Sequence, residues 1–494
     1  MESGDFDSLV HRLEDILHEG IPDHDKVLKI KTIIGEANLC GGNVDRSLAI
    51  PSFQTNNIDN ESHGLVNALK EVILKLANRS DVPIPSPVSS NGGQGTRYVP
   101  PTSDPRREAA FSRCFPFHAK QFAYSTQKTS LLRPRKGASC TGISPDSLHF
   151  ALCCPSGQYS IYSLPEDLED GPTLKFQGAV SVAGTCHVAI SNRWLLVASS
   201  SGLISVVSLS TGKLIWTHDV RFEIYGIDIS PTGSYIGVSI STVKNNENQQ
   251  IMLLLCPIVD AREDQAFLHV AEISFICPYK DPVRNLTFSP DEQFLLCSTT
   301  KDSKFFIVSL LDPREPKLVA RSSRKIPYED NDYEGITSVC FFPSNYTLVV
   351  ASRAQNSPPI VVDPRIAPKP TTNDLNDGAS STQKAQSNVL LRADKVGSNI
   401  YRAIVSPRQN AIAFVDKSGL VYVLYWPRGM EYAKKCVVVF EIAGASSPNL
   451  AATIRFSPDG TVLYAVDRKG ILNIADFGAG VPNVAGITRL RVLS

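Results

Sequence analysis

The chain has 494 residues, 42% hydrophobic and 20% charged, a composition that fits one large globular domain with an appendage. Lysine plus arginine and aspartate plus glutamate stand at 49 each, so no net field draws the chain to nucleic acid or an anionic membrane. No apolar run approaches the roughly 18 residues that a membrane-spanning helix needs, and the acidic, amphipathic N-terminus fits neither a secretory signal nor a transit peptide. The eleven cysteines are scattered without a Cys-x-x-Cys pair. They read as small buried hydrophobes of a reducing compartment, cytoplasm or nucleus.

Residues 1–80 predict a small helical module. Phe6, Leu9, Val10, Leu13, Ile16 and Leu17 share one helical face, with Asp5 or Asp7 as a cap and Gly20 as the stop. A second helix is expected over 25–39 and a third over 64–78, where Leu65, Leu69, Val72, Ile73 and Leu76 form the apolar stripe. Such faces serve either self-association and partner docking or packing within a mini-domain. Residues 81–117 read as a flexible linker, since 81–107 is rich in Pro, Ser and Gly and poor in large apolar groups. A second excursion of that composition falls at 367–387.

From residue 118 to 494 the chain repeats itself. The pattern is sharpest at 451–477, where Thr461–Val466 alternates between the turn Ser457-Pro458-Asp459-Gly460 and the turn Asp467-Arg468-Lys469-Gly470. Pro pre-sets the first corner of such a turn and Gly supplies positive φ. The apolar residue before the first turn recurs at Ile143, Ile190, Ile229, Phe288, Phe342, Val405 and Phe456. Intervals of roughly 40 to 60 residues are those of a four-stranded propeller blade. Fourth strands are expected at 173–177, 213–218, 267–276, 317–321, 389–393, 436–442 and 487–493, and the second turn of blade three is expected to swell at 244–250. Ring closure is open between 121–133 and 487–493, which compete for the outer slot of the last blade.

This order of apolar strand, Ser-Pro-Asp-Gly turn, small-residue strand and third strand ending near Asp resembles a WD-repeat propeller over about three-quarters of the chain. No copy carries the Gly-His pair or a terminal Trp-Asp; the nearest endings are Val362-Asp363 and Ala475-Asp476. Lactonase-like propellers share the architecture. The fold expected is an all-β seven-bladed propeller, WD-repeat-like, with a small N-terminal α-helical module.

Chemistry is sparse. The nine histidines show no ligand spacing, and no nucleophile elbow, zinc-helix motif, P-loop or dinucleotide fingerprint occurs. No cofactor, metal or catalytic residue is assigned. Asp312 and Arg314 in Leu311-Asp312-Pro313-Arg314, and Asp363 and Arg365 in Val362-Asp363-Pro364-Arg365, are similar to the Asp-x-Arg tail of the box by which substrate receptors of cullin-4 ubiquitin ligases dock. Asp-Pro-Arg is also a good turn sequence. Trp426 and Arg428 join these four as interaction candidates because Trp and Arg are enriched in binding hot spots. The reading is a non-enzymatic intracellular scaffold, cytoplasmic or nuclear, that binds other proteins in a multiprotein complex, can self-associate through its N-terminal helices, and neither enters membranes nor binds nucleic acid directly. The alternatives are a cullin-4-type substrate receptor and a lactonase-like hydrolase, which would need carboxylates such as Asp416 and Asp467 to converge on a metal.

Overall fold

A computed structural model of the protein describes residues 104–126 and most of 140–479, with 487–489 and 491–493. Outside the described residues lie 1–103, 127–139, 325–334, 365–387, 427–434, 444–451, 480–486 and stretches of four residues or fewer. The predicted N-terminal helices, the linker as far as residue 103 and the excursion at 367–387 fall among them.

The strands form seven antiparallel sheets, five of four strands and two of five. Blade one holds β2 (Cys140–Ile143), β3 (His149–Cys153), β4 (Gln158–Ser163) and β5 (Thr173–Ala179). Blade two is β6 (Cys186–Ile190) to β9 (Leu214–Asp219), and blade three is β10 (Ile224–Ile229), β11 (Ile236–Lys244), β12 (Glu247–Cys256) and β13 (Ala271–Ile276). Blade four runs from β14 (Val283–Phe288) to β17 (Lys317–Ser323), and blade five from β18 (Ile336–Phe341) to β21 (Asn388–Arg392). Blade six is β22 (Ile400–Val405), β23 (Ala411–Asp416), β24 (Leu420–Tyr425) and β25 (Lys435–Glu441). Blade seven opens with β26 (Thr453–Phe456), β27 (Val462–Val466) and β28 (Ile471–Asp476). First strands of neighbouring blades touch one another around a central channel.

Burial grades across each blade. Second strands such as Trp194–Ser199, Phe294–Thr299 and Ala411–Asp416 are buried at every residue. Each lies between two neighbouring blades, so both of its faces must be apolar and it reads as a continuous run rather than an alternation. The fourth strands of blades two, three and four, with one edge in water, mix exposed and half-buried residues.

The repeated Ser-Pro-Asp turn has a physical cause. Ser144, Ser289 and Ser457 are buried, and each hydroxyl donates to the Asp two residues on, at 2.5 Å. The same hydroxyls accept the amide five residues on, from His149, Phe294 and Val462 at 2.9, 3.0 and 2.9 Å. Side chains that bond nearby backbone stabilise turns in this way. Neighbouring turns are then tied together around one mouth of the channel. The Asp146 amide donates to Asn192, the Asn192 amide to the Pro231 carbonyl, the Thr232 amide to Glu292, and the Tyr346 hydroxyl to Asp291. These bonds join blades one to five in succession where the sequence lacks the Gly-His and Trp-Asp signatures.

The closing strand comes from the N-terminal side. β1 (His118–Ser125) pairs with β28 from Lys120↔Asp476 to Ser125↔Ile471 and so completes blade seven. The segment 487–493, expected as a rival for this slot, splits instead. β29 (Ile487–Arg489) pairs with the free edge of β1, while β30 (Arg491–Leu493) pairs with β25 as a fifth strand of blade six.

Three further expectations need correction. Residues 244 and 247–250 lie on strands and not in a swollen turn: β11 and β12 pair through Lys244↔Glu247 as a long hairpin, leaving Val243 70% exposed. The fourth strand of blade three begins at Ala271, because Phe267 is drawn inward against Trp194 and Trp216, ring centroids 4.8 and 5.2 Å away. The last part of the stretch read as linker holds α1 (Pro105–Cys114), capped by the Asp104 carboxylate, which accepts the Arg106 amide at 2.9 Å.

Candidate functional site

In an antiparallel meander the first turn and the third-to-fourth connection lie at the same end. One face of the propeller therefore carries all the Ser-Pro turns and all the third-strand ends. Pro145, Pro231, Pro290, Pro343, Pro407 and Pro458 ring the mouth of the channel on this face, above a cavity of about 440 Å³. Ile190, Ile229, Phe288, Phe341, Val405 and Phe456 give it an apolar lining.

Helix α1 clamps the same face over blades six and seven. Arg107 grips Asp476 at the end of β28 through both terminal nitrogens, at 2.8 and 3.1 Å. In the opposite direction, Arg408 in the first turn of blade six holds Glu108 with two bonds of 2.6 Å and donates to the Asp459 carbonyl. The Arg408 guanidinium also lies 4.4 Å from the centroid of the Phe111 ring. Phe115 stacks on Phe111 at 4.6 Å and meets Phe477 edge-on at 4.9 Å. These rings join the apolar cluster that spans blades six and seven.

The described interaction candidates fall on that face. Asp312 and Arg314 are exposed in the connection after the third strand of blade four, where the Asp312 carboxylate accepts the Arg314 amide at 3.1 Å. Asp363 ends the third strand of blade five and is half-buried. Trp426 follows the third strand of blade six; it is half-buried, packs edge-on to Phe342 at 6.4 Å and donates its amide to the Asn410 carbonyl. Three neighbouring blades thus bring Asp312, Asp363 and Trp426 to one rim, at different distances from their strand ends: Asp363 matches Ser309 and Tyr425 in register, so Asp312 lies three residues beyond that position and Trp426 one. Arg365 and Arg428 lie outside the described residues. Asp476, which matches Asp363 in register, is already taken by Arg107.

The channel itself carries charge that inspection of motifs missed. His187, Asp228, Arg284, Arg402 and Arg455, all on first strands, line a second cavity of about 270 Å³ that adjoins the first. Register shifts at the start of the first strand in blades three to six bulge Tyr225, Arg284, Thr337 and Tyr401 out of the ladder. Bulges of this kind re-aim side chains near sites. The signal present in the sequence is an ionic residue beside the apolar residue that precedes a turn, as in Asp228-Ile229 and Arg455-Phe456.

Burial pushes the Asp228 carboxyl up to about 7, against the amides of Phe288 and Ile229 and the charge of Arg455. Burial, with the charge of Arg284, pushes the His187 imidazole down to about 4. The two groups affect stability with opposite signs. The neutral fold of His187 is favoured above its ordinary 6.5, and that contribution is lost as pH falls towards 4. Asp228 penalises the fold increasingly as pH rises from 3.8 towards 7. Asp228→Asn is expected to raise the melting temperature relative to the parent at pH 8, on the order of 2 kcal/mol, with the gain disappearing near pH 4. Melting curves of the two proteins at both pH values check this; a gain that is equal at both would remove burial of the charge as its cause.

Among the described residues no group of three or more His, Cys, Asp or Glu side chains is placed to hold a metal ion. Asp416 and Asp467 serve turns on the opposite face. Asp416 accepts the amides of Gly419 and Leu420 and the Tyr422 hydroxyl, and Asp467 accepts the amides of Lys469 and Ile471.

No family model matches the chain. The SPS-sensor component PTR3 of Saccharomyces cerevisiae is 31% identical over 422 residues, which cover 78% of this chain. The chain spans 61% of the length of that curated relative. Among solved structures, the β-propeller domain of Cps50 (Swd1) from Myceliophteria thermophila covers 72% of this chain and 99% of its own, at 14% identity and a TM-score of 0.47. That likeness adds nothing to what the seven sheets themselves establish.

Proposed function

We propose that the chain is a non-enzymatic scaffold, a subunit of a sensing assembly, that presents the turn-bearing face of its propeller to a protein partner. The observation that carries this reading is the division of that face. Helix α1 covers blades six and seven, while the rim of blade four stays open, with Asp312 and Arg314 exposed and Leu311 53% exposed beside them. A rigid ring that holds an apolar group beside two ionic ones in a tied turn loses little entropy on binding. The relative's name describes that protein as a component of a sensor, and this chain is read in the same sense. Residues 1–80 would supply a second contact or self-association, and the cytoplasm or nucleus is the proposed setting.

A photo-cross-linking amino acid placed at Asp312, with a control at Lys417 on the opposite face, tests the proposal in cells. Cross-linked protein partners are expected from position 312 and not from 417. Partners captured from 417 alone would move recognition to the other face and overturn the reading.

A further inference from the structure

The belt of arginines inside the channel has no counterpart in the scaffold reading. Arg284 comes from blade four, Arg402 from blade six and Arg455 from blade seven, yet all three line one cavity of about 270 Å³. Among the described residues that line it, Asp228 is the only carboxylate, and the lone histidine, His187, is neutral above its lowered pKa. A guanidinium keeps its proton under all ordinary conditions, so burial cannot be relieved by neutralisation. Buried charges without counter-charges are strongly unfavourable. One carboxylate therefore faces three cations among the described residues of the lining, and Asp281 adds its charge to Arg284 from outside it.

The hydrogen bonds point the same way. The hydroxyls that share the cavity are spent on backbone: Thr453 donates to the Thr141 carbonyl at 2.7 Å and Thr287 to the Leu286 carbonyl at 2.8 Å. The Asn285 amide is spent on Ser298 and the Ile336 carbonyl, both at 2.9 Å. Against this, the buried Nε of Arg284 has no hydrogen-bond partner among the described residues. Native structures rarely leave such a donor idle. Arg284 also sits on the bulge between Val283 and Asn285, which takes it out of the regular ladder. Asp228 cannot serve it by default, since one of its oxygens accepts the Phe288 amide at 3.1 Å.

We propose that the central channel binds a compact oxyanion, a phosphate or carboxylate group, between Arg284, Arg402 and Arg455. Guanidinium forks match such groups bidentately. The apolar, proline-ringed mouth of about 440 Å³ leaves room for an organic group carried on the anion. The anion is thus either free or the head of a small organic molecule, and both share the same chemistry at the belt.

The test is calorimetric titration of the full chain at constant ionic strength with inorganic phosphate, phenyl phosphate and, as a control, chloride. Binding of either phosphate is expected, with none for chloride. Equal affinities identify the free anion, and tighter binding of phenyl phosphate identifies an anion with an apolar group in the mouth. Arg402→Gln and Arg284→Gln are each expected to weaken binding about tenfold or more. Should either variant fail to fold, crystals of the unaltered chain soaked in tungstate decide, and the anomalous peak is expected inside the channel. No heat with either phosphate up to about 10 mM, the weak end of specific binding, would overturn the proposal. So would undiminished binding in folded variants, or a tungstate peak only on the outer surface.

Discussion

A chain that begins at Cys140 is expected to lose cooperative melting altogether, whereas one that begins at Asp104 should melt as the full chain does. The shorter chain lacks β1 and α1. Without β1, the edge of β28 loses the six-residue ladder from Lys120 to Ser125, and blade seven is left with three strands. β1 also ties three blades together: Gln121 donates to the Val439 carbonyl of blade six, and Tyr124 donates to the Leu168 carbonyl of blade one. Without α1, the rings of Phe111 and Phe115 leave the cluster they share with Phe456, Phe477 and Val439. Truncating one buried Phe costs about 3–5 kcal/mol, and a whole domain holds only about 5–15. Calorimetry of the two chains measures the outcome. A transition for the Cys140 chain within a few degrees of the parent would show that β29 can close the ring instead.

The second large effect is expected from a single methyl group. Gly226 lies beside the bulge in the first strand of blade three, and a Cβ built there would stand 2.2 Å from the Arg284 carbonyl oxygen in blade four. That oxygen belongs to backbone, so no rotamer change relieves the overlap, and two inner strands must part. Gly226→Ala is expected to cost about 3 kcal/mol or more, the upper end of overpacking penalties. Gly237→Ala in the next strand is the control: its nearest neighbour would be a ring atom of Phe288 at 3.4 Å, ordinary contact distance. Urea midpoints of both variants check the contrast. Equal midpoints would mean that the inner strands are less closely packed than the Cβ distance requires.

The features legible in the sequence were those set by local chemistry. A buried serine that bonds Asp two residues on and the amide five residues on leaves the same signature in blades one, four and seven, at Ser144, Ser289 and Ser457, and looser versions of that turn mark the other blades. Second strands were equally plain, because burial on both faces demands unbroken apolar runs. Ring closure was not legible. β1 and β29 have similar strand character, and the choice between them is made by the geometry of the closed ring. Helix α1 was hidden for a related reason: ten residues with three buried side chains form no helix on propensity alone, and its stability comes from Asp476, Arg408 and Phe477, hundreds of residues away. The arginine belt was overlooked because alternate polar residues in a strand are ordinary on a solvated face. Only the closed ring shows that this face lines a narrow channel.

The most direct test of the scaffold account is affinity purification of the full chain beside a chain that begins at Asp104, with partner identification for each. The propeller with its clamp helix is expected to retain the partners of the full chain, because recognition is assigned to the face that α1 leaves open. Loss of every partner from the shorter chain would contradict the account and place recognition in residues 1–103.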